Sequence, residues 1–133
     1  MRPTLILALA PLLLASLAHA DECSNAPTQA ALNQCASVQY KTADKELNRL
    51  YQEIGQGLKN QAQTKQRLVS AQRAWVAFRD AECSYATSVV ESGSLYPLAY
   101  SQCMTTLTKA RVENLKHYLN CEEGDLSCPV LGL

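Results

Sequence analysis

Six cysteines constrain the fold of this 133-residue chain more than any other feature of its sequence. They are Cys23, Cys35, Cys83, Cys103, Cys121 and Cys128. All six follow an apolar leader, and an even number of cysteines in that context predicts disulfide bonds. Six cysteines allow fifteen pairings, but closing a short loop costs less chain entropy than closing a long one. We therefore expect the bonds Cys23–Cys35, Cys83–Cys103 and Cys121–Cys128.

The first 20 residues are typical of a secretory signal peptide. Arg2 supplies a positive charge, an apolar run extends from Leu5 to Leu17, and Ala18-His19-Ala20 is a small-x-small cleavage site. The apolar run is shorter than the about 20 residues that a transmembrane helix needs. We expect cleavage after Ala20, no stable membrane insertion afterwards, and a periplasmic or secreted location. An uncleaved membrane anchor is the alternative.

Charge and residue spacing disfavour several classes of function. The sequence contains 12 basic and 12 acidic residues, and this balance argues against a nucleic-acid partner, which would need a basic face. There is no CxxC motif, and His117 is the only histidine after Ala20, whereas zinc sites combine cysteine and histidine at short paired spacings. No nucleophile motif accompanies His117. We expect no metal, no cofactor and no catalytic residues.

Apolar residues recur every three or four positions along the chain after the leader, which is the period of an α-helix. The predicted helices cover residues 29 to about 59, a start within 60–66 to about 90, and about 98 to 119. No strand is predicted. Long helices joined by short connections form antiparallel bundles. The expected fold is all-α: a small disulfide-stapled bundle of about three helices, forming a single domain over residues 21–133 with a disulfide-closed tail.

The run AQRAWVAFRDAEC, residues 71–83, defines the second predicted helix. Its expected buried stripe consists of Leu68, Ala71, Trp75, Phe78, Tyr85 and Val89. Trp75 and Phe78 are interpreted as structural anchors of the core, and a contact surface for a partner is the alternative. The charged residues Arg73, Arg79 and Asp80 are expected to form either a recognition patch or a structural ion-pair cluster with Asp44 or Glu46 of the first helix.

Several short motifs follow one another between residues 23 and about 119. They are Cys23, Asn33-x-Cys35, Ala43-Asp44-x-Glu46-Leu47-Asn48, Tyr51, Ala71-Gln72-Arg73-Ala74-Trp75, Phe78-Arg79-Asp80, Cys83, Gly93-Ser94, Pro97, Cys103 and Leu107-Thr108 to Arg111. In their order and spacing the chain resembles the bacterial envelope domains named after the lysozyme inhibitor LprI. The resemblance implies a helical fold and a protein partner such as lysozyme. The chain differs from LprI itself in having no lipoprotein box and in carrying the Cys121–Cys128 tail.

The connection between the second and third helices, residues 91–97, is the leading candidate for partner binding. Ser92, Gly93, Ser94 and Tyr96 are its candidate contact residues. The expected Cys83–Cys103 bond would close this loop and lower the entropic cost of ordering it on binding. An ordinary connection between helices is the alternative interpretation.

Two functional hypotheses follow. The first is a non-catalytic inhibitor in which a polar loop occludes the cleft of a lysozyme, where two carboxyl groups carry the chemistry. Glu122, Glu123 and Asp125 of the tail would attract a cationic enzyme, or would simply be a solvated terminus. The second is a structural or stress-related interaction module of the envelope with another partner.

Overall fold

The computed structural model describes residues 23–130. The helices are α1 (Gln29–Gly57), α2 (Ala62–Ala86) and α3 (Tyr96–Asn120), with a 3-10 turn (Ser88–Val90) after α2. The described residues contain no strand, and the prediction of an all-α fold is confirmed. The predicted signal peptide, residues 1–20, lies outside the described residues.

Local chemistry sets the ends of the helices. Thr28 has an extended backbone, and its Oγ1 accepts a hydrogen bond of 3.1 Å from the backbone N–H of Ala31, which caps α1. Helix α3 begins two residues earlier than the sequence analysis placed it. Pro97 lies in its first turn, where the fixed φ of proline and its missing N–H are tolerated. Tyr96 therefore belongs to the helix and not to the loop.

The core lies mainly between α1 and α3, which run in the same direction, while α2 runs antiparallel to both. The buried core residues are Leu47, Leu50, Ile54, Leu58, Val112, Leu115 and Val130. Leu68 and Trp75 of α2 are only partly buried against this cluster. Val130 belongs to the tail, so the segment after α3 folds back and completes one end of the core.

All three predicted disulfide bonds are present. The bond Cys23–Cys35 joins the segment before α1 to that helix, and Cys83–Cys103 joins α2 to α3. The bond Cys121–Cys128 closes the tail into a compact turn. Gly124 in this turn has a φ of 95°, a left-handed conformation that glycine adopts without steric cost.

The predicted inner face of α2 is correct at Leu68 and Trp75, which pack against the core, and wrong at its other four residues. Ala71 and Val89 are exposed, and the side chains of Phe78 and Tyr85 are 54% and 78% exposed. Gln72, Arg79 and Cys83 are buried instead. The physical reason is the disulfide bond: Cys83 must face Cys103 on α3, and residues 4 and 11 positions before Cys83 share its side of the helix. Phe78, predicted as a core anchor, consequently faces outward.

Candidate interaction surfaces

The best-connected polar group among the described residues is the guanidinium of Arg79, which is 5% exposed. Its Nη1 donates to Oδ1 of Asp44 at 3.1 Å and to Oγ1 of Thr108 at 3.4 Å. Its Nε donates to Oδ1 of Asp80 at 2.9 Å. Since Asp44 lies on α1 and Thr108 on α3, this one side chain joins all three helices.

Two aromatic rings enclose the same guanidinium. Its carbon lies 5.1 Å from the ring centre of Trp75 and 5.5 Å from that of Tyr40, within the range of a cation–π contact. Burial is the largest single influence on the pKa of Arg79 and lowers it. The hydrogen bonds that Arg79 donates to Asp80 and Asp44, together with the charge interactions with Tyr40 and Asp80, more than offset burial, so the pKa is raised. Burial also raises the pKa of Tyr40 and Tyr100.

This cluster has the chemistry of a structural support. An arginine held as a cation can bind anions and orient helices, but it transfers no proton near neutral pH. Within residues 23–130 no group of three or more His, Cys, Asp or Glu side chains could hold a metal ion. Arg73 and Glu46 take no part in the cluster. Arg73 is exposed, and Glu46 pairs with Arg49 of its own helix at 2.8 Å.

A second polar contact joins α2 to α3, about two helical turns from Arg79 along α2. Nε of Arg111 donates to Oε1 of Gln72 at 3.1 Å, and its guanidinium carbon lies 6.0 Å from the ring centre of Trp75. Gln72, Thr108 and Arg111 belong to the motifs that carry the family resemblance, but no role was predicted for them. The position of Cys83 could have indicated these contacts, because it fixes which residues of α2 face α3.

The predicted binding loop lies at the end of the bundle where α1 and α3 begin. Ser92, Gly93 and Ser94 are exposed. The side-chain amide of Asn33 on α1 donates to the backbone oxygen of Ser94 at 3.3 Å. Within the loop, the backbone N–H of Gly93 donates to the backbone oxygen of Val90 at 2.9 Å. Tyr96 is half-buried, and its ring centre lies 5.6 Å from that of Tyr100. The accessible part of this segment is thus residues 91–95.

The acidic tail lies at the opposite end. Glu122 and Glu123 are exposed. Asp125 has a local role, because its Oδ1 accepts from the backbone N–H of Ser127 at 2.8 Å and its Oδ2 lies 3.5 Å from Nε2 of His117. Leu126 projects fully into solvent between these acidic positions and Cys128. The bundle therefore presents a polar loop at one end and an acidic turn with an apolar tip at the other.

Comparison with known proteins adds the family. The family model described as "Lysozyme inhibitor LprI" matches residues 20–115, which is most of the chain. The chain belongs to the LprI family. The resemblance seen in the motifs is confirmed, and the LprI match ends within α3, so the disulfide-closed tail lies beyond it. An uncharacterised protein of Rhizobium meliloti (strain 1021) is 34% identical over 113 residues, covering 77% of this chain and 81% of the relative. No solved structure matches the chain.

Two observations bear on the compartment in which this LprI-family chain works. Disulfide bonds form and persist in oxidising environments, and the structure contains three. No helix within residues 23–130 is both long enough and apolar enough to cross a lipid bilayer.

Proposed function

We propose that this chain is a periplasmic or secreted, non-catalytic protein that binds a lysozyme or related muramidase and blocks its substrate cleft. The match to the lysozyme-inhibitor family over residues 20–115 carries the proposal. The proposal includes removal of residues 1–20 as a signal peptide, which leaves one helical domain and its tail. The disulfide-held scaffold supports a binding role.

The loop of residues 91–95 is the contact segment in this proposal. Its residues are exposed, while its two ends are held by the Cys83–Cys103 bond and by the hydrogen bond from Asn33 to Ser94. A loop fixed in this way loses little conformational entropy on binding. Its hydroxyl groups and free backbone atoms offer hydrogen bonds to the polar walls of a glycosidase cleft, where two carboxyl groups flank the scissile bond.

The tail has a supporting role. Glu122 and Glu123 extend into solvent and bear negative charges that attract a cationic enzyme from a distance. Such complementary charge mainly raises the association rate, and salt screens it. Substituting both residues with Gln should slow association at low ionic strength and leave the dissociation rate nearly unchanged.

A titration of lysozyme tests the proposal directly. The oxidised chain beginning at Asp21 is added to lysozymes of several classes, and clearing of a cell-wall suspension is followed. We expect dose-dependent loss of lysis and a stoichiometric complex on a sizing column. Full lysis at a large excess over every class of lysozyme would contradict the proposal.

Loop variants then locate the contact. Ser92→Arg and Ser94→Arg place a bulky charge on the exposed loop without removing a buried group, so inhibition should fall at least tenfold if the loop enters the cleft. Gln52→Arg adds the same side chain at an exposed site of α1 and should inhibit like the wild type. Equal inhibition by all three variants would move the contact away from residues 91–95.

The second candidate function is an envelope interaction module with another protein partner. The outward apolar face of α2, which includes Phe78 and Tyr85, is the observation that favours it. A complex with a different envelope protein, together with no effect on any lysozyme, is the result that would select this function.

A further inference from the structure

The outer face of α2 carries a strip of apolar side chains in addition to Leu68, Trp75 and Cys83, which face the rest of the bundle. Gln72 and Arg79 point inward, whereas the exposed side carries Ala71, Ala74, Ala77, Phe78, Ala81 and Tyr85. These positions recur at intervals of three and four, so they form one continuous strip. Monomeric proteins rarely leave such a strip uncovered, and no described residue covers this one.

Charges flank the strip in a polarised arrangement. On one flank Arg73 precedes Asp80 by seven residues, which places both at the same angle around the helix. On the line of the strip itself Arg67 lies four residues before Ala71, and Glu82 lies beside the far end of the strip. Within the described residues Asp80 pairs with Arg79, and no ion pair engages Arg67, Arg73 or Glu82. The surface along the strip is thus basic toward the start of α2 and acidic toward its end.

From this pattern we infer that a second copy of the chain occupies the outer face of α2, with the two α2 helices antiparallel. Antiparallel pairing about a twofold axis near Ala74 and Ala77 brings the basic half of the outer face of one copy against the acidic half of the outer face of the other. Parallel pairing would instead place like charges together. The charge pattern therefore selects both the occupant and its direction.

Side-chain size fits this arrangement. Ala74, Ala77 and Ala81 allow the two helix backbones to approach closely, while Phe78 and Tyr85 supply the large apolar contacts that dominate interface energy. The strip extends from Ala71 to Tyr85, so it offers a contact about 22 Å long. The inference goes beyond the proposed inhibition of lysozyme and does not depend on it, because it concerns only copies of this chain.

Sedimentation equilibrium on the oxidised chain from Asp21 provides the first test. The mass should rise from monomer to dimer with concentration, and Phe78→Ser should raise the dimer dissociation constant at least tenfold. Leu126→Ser removes an even more exposed apolar side chain, in the tail after α3, and should leave the constant unchanged. A chain that remains monomeric up to about 1 mM would overturn the inference.

A charge exchange provides the second and sharper test. Arg67→Glu and Glu82→Arg each set like charges against one another in an antiparallel homodimer, so each variant alone should dimerise more weakly than the wild type. Mixed together, the two variants restore both opposite-charge pairs and should form a heterodimer. Circular dichroism checks that each variant is folded. Failure of the mixture to associate more tightly than either variant alone would overturn the antiparallel arrangement.

A lysozyme complex gives an independent outcome. If Phe78→Ser abolishes binding of lysozyme while the wild-type chain never dimerises, the outer face of α2 is the inhibitor surface and self-association is excluded. If inhibition persists in Phe78→Ser and dimerisation is lost, the two surfaces are separate and the inference stands.

Discussion

Nη1 of Arg79 on α2 lies 3.1 Å from Oδ1 of Asp44 on α1, and the two side chains differ sharply in exposure. The Arg79 side chain is 6% exposed, whereas that of Asp44 is 34% exposed and keeps contact with water. A buried cation paired with a partly solvated carboxylate costs less desolvation than a fully buried ion pair. The pair therefore fixes the rotation and height of α2 against α1 more than it adds net stability.

Arg79→Met tests this role. The substitution keeps the apolar stem but removes the cation between Asp44 and Asp80, leaving two carboxylates without their partner. We expect a loss of about 2 kcal/mol in the free energy of unfolding, less than the cost at a fully buried pair because both carboxylates remain partly hydrated. Urea denaturation measures it. Arg73→Met, at an exposed position of the same helix, should change stability by less than about 0.5 kcal/mol. Equal losses in the two variants would contradict a structural role for the pair.

Trp75 and Phe78 should respond differently to truncation although they are close in sequence. Trp75 packs against the core and beneath two guanidinium groups, so Trp75→Ala should cost about 2–3 kcal/mol, less than for a fully buried tryptophan. Phe78→Ala should cost less than about 1 kcal/mol at concentrations where the chain is monomeric, because half of its side chain is exposed. Thermal or urea unfolding of the two variants side by side measures the difference, and a reversed order would mean that α2 is rotated.

The bond between α2 and α3 should control the order of the connecting loop. Cys83→Ala/Cys103→Ala removes a crosslink spanning 20 residues and should cost about 3 kcal/mol. Amide hydrogens of residues 91–95 should then exchange faster. The comparison variant Cys121→Ala/Cys128→Ala opens the tail at the other end of the bundle and should leave exchange in the loop unchanged. Faster loop exchange in both variants would show general loosening.

Stability should fall at alkaline pH through Tyr40. Burial raises the pKa of Tyr40 above its ordinary value of 10.0, and the opposing effect of Arg79 is smaller. As pH rises through 10.0 the unfolded chain loses this proton first, so the contribution to stability is complete below that pH and disappears toward the folded-state pKa. Tyr40→Phe cannot ionise. Urea unfolding at about pH 8 and about pH 11 should show a smaller alkaline loss in the variant. A larger alkaline loss of stability in Tyr40→Phe than in the wild type would contradict the raised pKa of Tyr40.

Much of the fold could be predicted because the apolar residues of α1 recur at helical spacing and so mark its buried face. Leu47, Leu50, Ile54 and Leu58 follow helical spacing, and all are buried. The three disulfide bonds followed from loop length alone. These features depend on residues near one another in sequence, where periodicity and chain entropy decide the outcome.

The buried face of α2 could not be predicted from hydrophobicity. Its apolar residues do recur with the helical period, but most of those assigned to the buried face are exposed. Phe78 and Tyr85 are more apolar than Gln72 and Arg79, but the polar pair is buried. Partners distant in sequence decide this outcome: Asp44 and Thr108 satisfy Arg79, and Arg111 satisfies Gln72. A buried polar residue is stable only with such partners, and a single helix does not reveal them.

The polar attachment of α2 also determines how the bundle comes apart. Apolar burial holds α1 to α3, whereas α2 is held to that pair by the partly buried Leu68 and Trp75 and by a few directional hydrogen bonds. Regions with few buried apolar contacts open locally at lower free energy than the rest of a protein. We therefore expect α2 to open before the pair formed by α1 and α3, with the Cys83–Cys103 bond keeping it attached to α3 while it is open.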